Sequence, residues 1–221
     1  MKIAILCDTH CGIRNSSEVF LDNAEDFYTN IFFPECQKQG ITQILHLGDY
    51  YDHRKFVNFK ALNQNRRVFL DQLRKNNMMM DIIPGNHDTY YKNTNELNSL
   101  KECLGHYMNE IHIVMEPTVM QYGSLSMGLL PWICADNYDQ SMNFIRDCKA
   151  DWLGAHLELS NFEIGRGIMA HSGMDPKLFQ KFEQVLSGHY HTASRRDNIW
   201  YLGNPMEFFW SDAHDPKYFH I

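Results

Sequence analysis

Four apolar runs in this 221-residue chain each end in a short motif that carries aspartate, asparagine or histidine. An apolar run followed by a polar turn predicts a β-strand and the loop that leaves it. In chain order the motifs are Asp8-Thr9-His10, Gly48-Asp49, Gly85-Asn86-His87-Asp88 and Gly188-His189-Tyr190-His191. Because ligands of open α/β sheets gather where strands end, the pattern predicts a single site built from four loops.

Helices and strands alternate in the first half of the chain, and strands dominate the second half. Apolar spacing predicts helices over about residues 17–33, 59–75 and 94–108, with Pro34 kinking or ending the first. Strands are also expected over residues 111–114, 118–122, 125–130, 151–156, 167–171, 185–187, 200–202 and 217–221. This order predicts an α/β fold, a layered sandwich of two β-sheets flanked by helices.

Composition limits the classes of protein that the chain fits. Hydrophobic residues make up 44% and charged residues 21%, as in a globular chain, and the length fits one domain over residues 1–221. A net charge of −7 gives no overall positive field, so contact with nucleic acid would need a local basic patch. Six scattered cysteines without a CxxC pair are typical of reduced thiols in an intracellular protein. The short apolar run before Asp8 predicts neither a signal peptide nor a membrane span.

The residue types in the four motifs are ligands of divalent metal ions. Asp8 and His10 share one face of a strand-end turn, as do the two histidines of the last motif, because residues two apart point the same way. Asp49 could bridge two metals, and Asn86 offers a neutral carbonyl oxygen. Mixed nitrogen and oxygen ligands favour manganese, iron or zinc over calcium. The alternative is a set of unrelated polar loop ends, which four coincident motifs disfavour.

One more histidine ligand is expected between the third and fourth motifs. His156, in Gly154-Ala155-His156, ends a predicted strand in the same way as the other ligands. His171, in Met169-Ala170-His171-Ser172-Gly173, is the competing candidate. We expect His156 to join the metal group because of its place at a strand end.

These motifs resemble the signature of the calcineurin-like metallophosphoesterase superfamily, which runs DxH, GD, GNH(D/E), H, GHxH. More narrowly, the chain is similar to the nuclease subunits of double-strand-break repair complexes, of the bacterial SbcD type and especially of the shorter type in T-even-like phages. The segments that carry this narrower resemblance are Gly40-Ile41-Thr42, Leu47-Gly48-Asp49, Pro131-Trp132, Asp175-Pro176, Leu178-Phe179 and Tyr201-Leu202-Gly203-Asn204-Pro205. The resemblance extends over nearly the whole chain.

The resemblance implies the metallophosphoesterase sandwich and a DNA nuclease that hydrolyses phosphodiesters with a hydroxide activated by two metal ions. Manganese is the expected metal, with magnesium, iron and zinc as alternatives. His87 would face the scissile phosphate, stabilise the transition state and protonate the leaving oxygen. Asp88 is expected to contact the metal ligands and fix their orientation without binding a metal itself. The implied ligand sets are Asp8, His10, Asp49 and His191 for one metal, and Asp49, Asn86, His156 and His189 for the other.

Asp52 differs from the residue found in part of the family. Some members have histidine there, whereas phosphoprotein phosphatases have aspartate in a GDxxDR motif. In this chain His53 separates Asp52 from Arg54, so the phosphate-clamping arginine of those phosphatases is out of register. We expect the Asp52 carboxylate, three residues after Asp49, to orient the His87 imidazole during catalysis.

Positive charge is concentrated after the second motif, in Arg54, Lys55, Lys60, Arg66, Arg67, Arg74 and Lys75. Arg54 and Lys55 are candidates for contact with a DNA backbone, as are Arg195 and Arg196 after the last motif. The alternative is a solvated helix face, which is the commoner origin of a charge run.

The nuclease family continues into a DNA-capping region and a segment that docks on an SMC-like ATPase of the SbcC type. This chain stops at Ile221 within an apolar pattern, so we expect those segments to be absent or truncated. The family dimerises through helices in this part of the nuclease domain, and the stripe Leu97, Leu100, Leu104 and Met108 is therefore either core or a homodimer interface. The resemblance also implies a cytoplasmic location, in the bacterial host cell for a phage-encoded protein.

Two other functions fit parts of the sequence. A phosphatase or small-molecule phosphodiesterase of the same superfamily fits Asp52 and the acidic net charge. A non-catalytic scaffold with a decayed site is the third alternative, which the complete set of ligand residues disfavours. The expected role of the nuclease lies in DNA recombination, repair or replication.

Overall fold

The computed structural model describes residues 1–165 and 167–221 and contains two main β-sheets with helices outside them. The strands of the first sheet are β1 (Ala4–Leu6), β2 (Gln43–His46), β3 (Met79–Ile82) and β4 (Ile111–Ile113). They are parallel and lie in the order β1-β2-β3-β4. Because successive strands are neighbours, the loops after β1, β2 and β3 follow one another along a single edge of the sheet.

The other strands are β5 (Thr118–Tyr122), β6 (Leu125–Leu130), β7 (Trp152–His156), β8 (Glu163–Gly165), β9 (Ile168–Met169), β10 (Gln184–Gly188), β11 (Ser194–Arg196) and β12 (Ile199–Tyr201). Six of them form the second sheet in the order β11-β12-β10-β7-β6-β5, and β8 pairs with β9 in a separate hairpin. The central strands β12, β10, β7 and β6 run parallel. Gly188 pairs with His156, so β7 and β10 end side by side.

Helical segments connect the strands of the first sheet. Between β1 and β2 they are α1 (Ile13–Ser16), α2 (Glu18–Asp26), a π-helical stretch (Phe27–Phe32) and α3 (Phe33–Gln39). Between β2 and β3 they are α4 (Phe59–Asn65), a π-helical stretch (Arg66–Leu70) and α5 (Asp71–Lys75). The remaining α-helices are α6 (Ser99–Leu104) and α7 (Tyr138–Asp147), with 3-10 turns at Gly105–Tyr107, Pro176–Phe179 and Trp210–His214. Within the described residues, no helix has the length and apolar character needed to cross a bilayer.

Alternating side chains bury both faces of each sheet. In β1, Ala4 and Leu6 pack with the helices, whereas Ile5 joins the core between the sheets. That inner core also contains Leu45, Leu47, Ile83, Met127, Leu129 and Leu186. A third apolar cluster, with Ile145 from α7, covers the other face of the second sheet. The predicted α/β sandwich of two sheets flanked by helices is confirmed, and a polar site has to lie at the ends of the strands.

Two predicted helix boundaries differ from the structure. The first helical segment continues beyond Pro34 to Gln39. Pro34 occupies the first turn of α3, directly after a π-helical stretch, where the missing N–H of proline is tolerated. The third predicted helix begins only at Ser99, because the Asn98 side chain accepts the N–H of Lys101 at 3.0 Å and caps it.

Two features of the second half also differ from prediction. Helix α7 has no counterpart among the predicted elements. The predicted strand at residues 217–221 is reduced to one antiparallel bridge, in which His220 exchanges backbone hydrogen bonds with Ile5 of β1. The end of the chain therefore covers the outer edge of the first sheet, and a segment with only one paired residue does not form a strand.

Leu73 provides a test of the packing between α5 and the first sheet, because its side chain is 0% exposed. Leu73→Ala should lower the free energy of unfolding by about 2–5 kcal/mol through the cavity that it leaves. Val19 on α2 is 72% exposed, and Val19→Ala should change that free energy by less than about 0.5 kcal/mol. Denaturant unfolding followed by circular dichroism measures both, and equal midpoints for the two variants would contradict the described packing.

Candidate metal centre

The four motifs meet where strand ends of the two sheets come together. The Asp8 N–H donates to Gly48 O at 3.0 Å, which joins the first two motifs. The His189 N–H donates to the Asp8 carboxylate at 3.0 Å, and His156 Nδ1 donates to Leu47 O at 2.7 Å. These last two bonds cross from the second sheet to the first. The His87 N–H donates to Asp49 Oδ1 at 2.7 Å, which adds the third motif, so all four motif loops and the end of β7 form one cluster.

The main chain is left-handed at several of the predicted ligands. The φ angle is 50° at Asp8, 43° at His10, 55° at Asp49 and 89° at His189. This region costs about 1–2 kcal/mol for a residue with a Cβ atom, so the surrounding contacts must impose it. Such strain is concentrated at functional sites in proteins.

Glycines allow the motif loops to approach one another. A Cβ atom on Gly85 would overlap the Asp49 carboxylate. One on Gly48, whose φ is 88°, would lie 2.7 Å from Gly85 N and from His156 Nδ1. Glycine is therefore required at both positions for steric reasons.

The first group of side chains consists of Asp8, His10 and His191. The Nε2 atoms of the two histidines are 3.0 Å apart, and each lies 4.0 Å from Asp8 Oδ1. Two nitrogen ligands of one tetrahedral metal ion lie at a similar separation, about 3.3 Å. The donor atoms of this group thus fit a divalent metal ion.

The second group consists of Asp49, His156 and His189, with Asn86 between the histidines. Asn86 Oδ1 lies 2.8 Å from His189 Nδ1 and 3.1 Å from His156 Nε2. Because His156 Nδ1 donates to the Leu47 carbonyl, Nε2 is the ring nitrogen that can offer a lone pair to a metal ion when it gives up its proton. This group fits a second metal ion. His156 rather than His171 is brought to the cluster; His171 is exposed beyond β9.

Asp49 lies between the two groups. Its Oδ2 atom is 3.8 Å from His10 Nε2 and 3.4 Å from His156 Nε2, and its Oδ1 atom accepts the His87 N–H at 2.7 Å. Burial opposes ionisation, but the charge of His156 holds the pKa of Asp49 well below its usual range. Although burial lowers the pKa of His156, the Asp49 carboxylate raises it to about 9. A buried negative charge between two sets of imidazoles is suited to bridging cations.

The prediction that the Asp52 carboxylate orients His87 is wrong. His87 Nδ1 donates to the backbone carbonyl of Asp52 at 2.6 Å. The Asp52 carboxylate lies instead 3.3 Å from His10 Nδ1, where it can orient that imidazole. The reason is the direction of the loop after Asp49, which turns a main-chain oxygen and not a side chain towards His87.

The Asp88 side chain binds the main chain of two motif loops. Its buried carboxylate accepts the N–H groups of Tyr50 and Tyr51 at 3.1 Å and that of Gly85 at 2.9 Å. Burial raises the pKa of Asp88 to about 6. Asp88 thus positions the backbone on either side of Asp49.

Several cations of the basic stretch after the second motif are engaged in contacts within the protein. Arg54 donates Nε to Thr89 O at 2.9 Å and Nη2 to Thr89 Oγ1 at 3.1 Å, so it joins two loops. Lys55 is exposed, with Nζ 5.7 Å from the centre of the Tyr90 ring. Further along, three cations form ion pairs: Lys60 with Glu18, Arg67 with Glu25 and Arg74 with Glu110. These pairs favour the solvated helix face for that part of the stretch.

Arg195 and Arg196 lie on β11, the edge strand of the second sheet. The guanidinium carbon of Arg195 is 5.8 Å from the centre of the Trp200 ring. Arg196 Nη1 donates to Asn161 O at 3.4 Å. Both arginines are exposed, so their guanidinium groups are accessible to a phosphate backbone.

Sequence reasoning missed residues that enclose the centre. The Trp132 ring lies 5.3 Å from that of His189 and 5.9 Å from that of His156, measured between ring centres. The Lys217 side chain is 4% exposed, and its Nζ atom donates to His191 O at 3.0 Å. The place of Trp132 just after β6 was the available signal for its role. The sequence carried no signal for Lys217, because its partner lies far away in the chain.

Comparison with known proteins agrees with this geometry. Residues 1–193 match the family model described as calcineurin-like phosphoesterase. The chain belongs to the calcineurin-like phosphoesterase family. Calcineurin-like phosphoesterases depend on binuclear metal centres, and the two side-chain groups fit that requirement. Family membership confirms the resemblance and supports a hydrolase.

The chain is similar to exonuclease subunit 1 of Enterobacteria phage T4, with 30% identity over 219 residues. The alignment covers 99% of this chain but 63% of that relative, so the chain spans less than two thirds of its length. Among solved structures, GAP50, described as the anchor in the inner membrane complex of Plasmodium, has a TM-score of 0.52 and 15% identity. That alignment covers 90% of this calcineurin-like chain and 69% of GAP50, and it shows a shared fold alone.

Asp49→Ala tests whether this carboxylate serves both side-chain groups. The variant should lose at least one of two bound divalent ions, because Asp49 Oδ2 faces His10 and His156 together. Elemental analysis after dialysis against manganese measures the stoichiometry. Asp22→Ala, at an exposed position of α2, is the control and should retain both ions. Two ions in the Asp49 variant would contradict the assignment.

Proposed function

We propose that this calcineurin-like phosphoesterase is a metal-dependent DNA nuclease that hydrolyses phosphodiester bonds. The observation that carries the proposal is the pair of side-chain groups on either side of Asp49, with His87 next to them. The relative in phage T4, named an exonuclease subunit, favours DNA as the substrate. The proposed cellular role is DNA recombination, repair or replication.

The two groups would hold two divalent metal ions, for which we propose manganese because the ligands combine nitrogen and oxygen. When bound, two such ions supply a nucleophile from water at neutral pH and neutralise the charge of the phosphate. Asp52 would keep the His10 imidazole in place, and Asp88 would keep the motif loops in place. The proposed ligands are Asp8, His10, Asp49 and His191 on one side, and Asp49, Asn86, His156 and His189 on the other.

His87 is the proposed proton donor. Its Nδ1 atom donates to the Asp52 carbonyl, which fixes the orientation of the ring. The other ring nitrogen, Nε2, is then the atom that can give a proton to the leaving sugar oxygen. The oxygen of a water molecule bonds to phosphorus as the P–O bond to the sugar oxygen breaks, and the proton released from that water replaces the one given by His87. The products are a hydroxyl end and a phosphate monoester end.

The relative's name, an exonuclease subunit, and the exposed cations support two proposed partners, DNA and a second subunit. Lys55, Arg195 and Arg196 are the proposed contacts with the DNA backbone, and Arg54 would contribute while remaining bound to Thr89. An SMC-like ATPase of the SbcC type is the proposed partner of the full-length protein. Six free cysteines suit a reducing cytoplasm, which is the proposed location.

His87→Asn tests the proposed proton donor. Turnover on DNA oligonucleotides with manganese should fall by about two to four orders of magnitude, the range for lost acid–base help, while metal content stays unchanged. His106→Asn, at an exposed position, is the control and should keep full activity. Loss of metal together with activity would place His87 among the ligands. Hydrolysis of p-nitrophenyl phosphate without cleavage of DNA or of bis(p-nitrophenyl) phosphate would indicate a phosphatase instead.

A homodimer is proposed through an apolar patch formed by Phe56, Phe59 and Leu97. The predicted leucine stripe is divided in the structure, since Leu100 and Leu104 are core residues whereas Leu97 is exposed. Phe59, at the start of α4, is 87% exposed and lies in the same groove as Phe56 and Leu97. A large exposed apolar patch is typical of an isologous interface.

Phe59→Glu tests this interface. A charge at the centre of an apolar interface would have to be buried without a partner, so the dimer dissociation constant should rise at least about tenfold. Sedimentation velocity over a range of concentrations measures it. Ile31→Glu, at an exposed position of the first π-helical stretch, should leave association unchanged. A monomeric wild-type chain, or an unaffected dimer in the Phe59 variant, would contradict the interface.

A further inference from the structure

Three consecutive aromatic residues, Phe208, Phe209 and Trp210, form an aromatic ledge beside the first side-chain group. The ring centre of Phe208 lies 5.8 Å from that of His10, and the ring centre of Phe209 lies 5.8 Å from that of His191. Phe208 is buried, whereas Phe209 is 42% exposed and Trp210 is 95% exposed, so Phe209 and Trp210 provide the accessible surface of the ledge. The ledge thus extends from two proposed metal ligands to a tryptophan in solvent, and neighbouring exposed apolar side chains of this kind form a contiguous patch that is typical of a binding surface.

Arg14 is held against the aromatic ledge by a strained turn. Arg14, Asn15 and Ser16 have φ angles of 54°, 57° and 59°, three successive left-handed residues with a Cβ atom. Strain of this kind persists where surrounding contacts impose it, most often at functional sites. The guanidinium carbon of Arg14 lies 4.5 Å from the centre of the Phe209 ring, and Nε donates to Phe208 O at 3.2 Å. Among the described residues, Arg14 Nη1 and Nη2 have no hydrogen-bond partner.

The aromatic ledge has a fixed position relative to the metal ligands. The Asp212 carboxylate accepts the N–H groups of Phe208 and Phe209 at 2.8 and 3.1 Å. Lys217 Nζ lies 3.9 Å from Asp212 Oδ1 and donates to His191 O at 3.0 Å. The side chains of Asp212 and Lys217 are only 6% and 4% exposed, so the ledge and the His191 loop share one support.

The surface opposite the aromatic ledge completes a groove. Ser17, Val19 and Phe20, around the start of α2, line it together with the ledge and Arg14. The lining is mostly apolar, and its charged residues are Arg14 and Glu207. A flat apolar group suits the apolar lining, and an anion joined to it would be attracted to the Arg14 guanidinium, which lies over the Phe209 ring.

We propose that the aromatic ledge stacks an unpaired nucleobase of single-stranded DNA whose scissile phosphate lies at the metal centre. This inference rests on the proposed nuclease function and adds a preference for unpaired nucleotides. Every base has a π-face that can stack on tryptophan or phenylalanine, so the site needs no particular base. Arg14 complements the phosphate next to the stacked base. In a duplex the faces of the bases are covered by their neighbours, so the ledge selects unstacked ends.

Trp210→Ala tests the ledge without altering a proposed metal ligand. Binding is measured by fluorescence anisotropy with a labelled oligothymidylate in EDTA, where the proposed nuclease is inactive. The dissociation constant should rise about 5- to 100-fold, as for the loss of one stacked base. Trp210→Phe should restore most of the affinity, and Tyr218→Ala, an exposed aromatic residue outside the ledge, should leave it unchanged.

Kinetic measurements distinguish a loss of base stacking on the ledge from damage to the metal centre. With manganese, Trp210→Ala should raise KM for the oligothymidylate by a similar factor, while hydrolysis of bis(p-nitrophenyl) phosphate and metal content stay within about twofold. An oligonucleotide with abasic sites should bind the wild-type chain weakly, and Trp210→Ala should weaken it no further.

The outcomes distinguish this inference from the proposed function. Unchanged oligonucleotide affinity in Trp210→Ala overturns the ledge whether or not the chain is a nuclease. Absence of diester hydrolysis in the metal-loaded wild type overturns the nuclease, while the anisotropy result still decides the ledge. Weaker self-association of Trp210→Ala, with unchanged DNA binding, would make the ledge a contact between copies of the chain and overturn base stacking.

Discussion

The close contact between the strand ends of two facing sheets is the constraint on which the metal centre depends. A Cβ atom on Gly188 at the end of β10 would lie 2.7 Å from Leu47 O, so the two loops pass with no space between them. The same Leu47 carbonyl accepts a hydrogen bond from His156 at the end of β7. The apolar core between the sheets sets their separation and thereby the distances between ligands from different sheets.

The buried carboxylates of this cluster need compensating positive charge. Asp8, Asp49 and Asp88 are all buried side chains of this cluster. Burial raises the pKa of Asp8. Isolated buried carboxylates cost several kcal/mol each. Burial opposes ionisation of Asp49, and the positive charge of His156 lowers its pKa. Divalent metal ions would supply the same compensation, so metal binding and stability of the motif loops are linked.

Main-chain groups, rather than further catalytic side chains, hold the proposed catalytic residue in place. Asp88 binds three backbone N–H groups, and the carbonyl of Asp52 orients His87. The Asp52 side chain is then free to support His10. The aromatic ledge is connected to the same framework through Lys217 and the His191 carbonyl. A substrate bound on the ledge would therefore be positioned by the groups that position the ligands.

The sequence by itself determined the fold class, the family and the residues that gather at the centre, because strand-end motifs are local patterns whose position in a parallel sheet is known in advance. Only the tertiary structure decided which atoms face one another. Arg14 reaches Phe208 across 194 positions of the chain, and Asp52 turns its carboxylate to His10 instead of His87. These contacts depend on loop direction and on packing between distant segments, which no local spacing encodes.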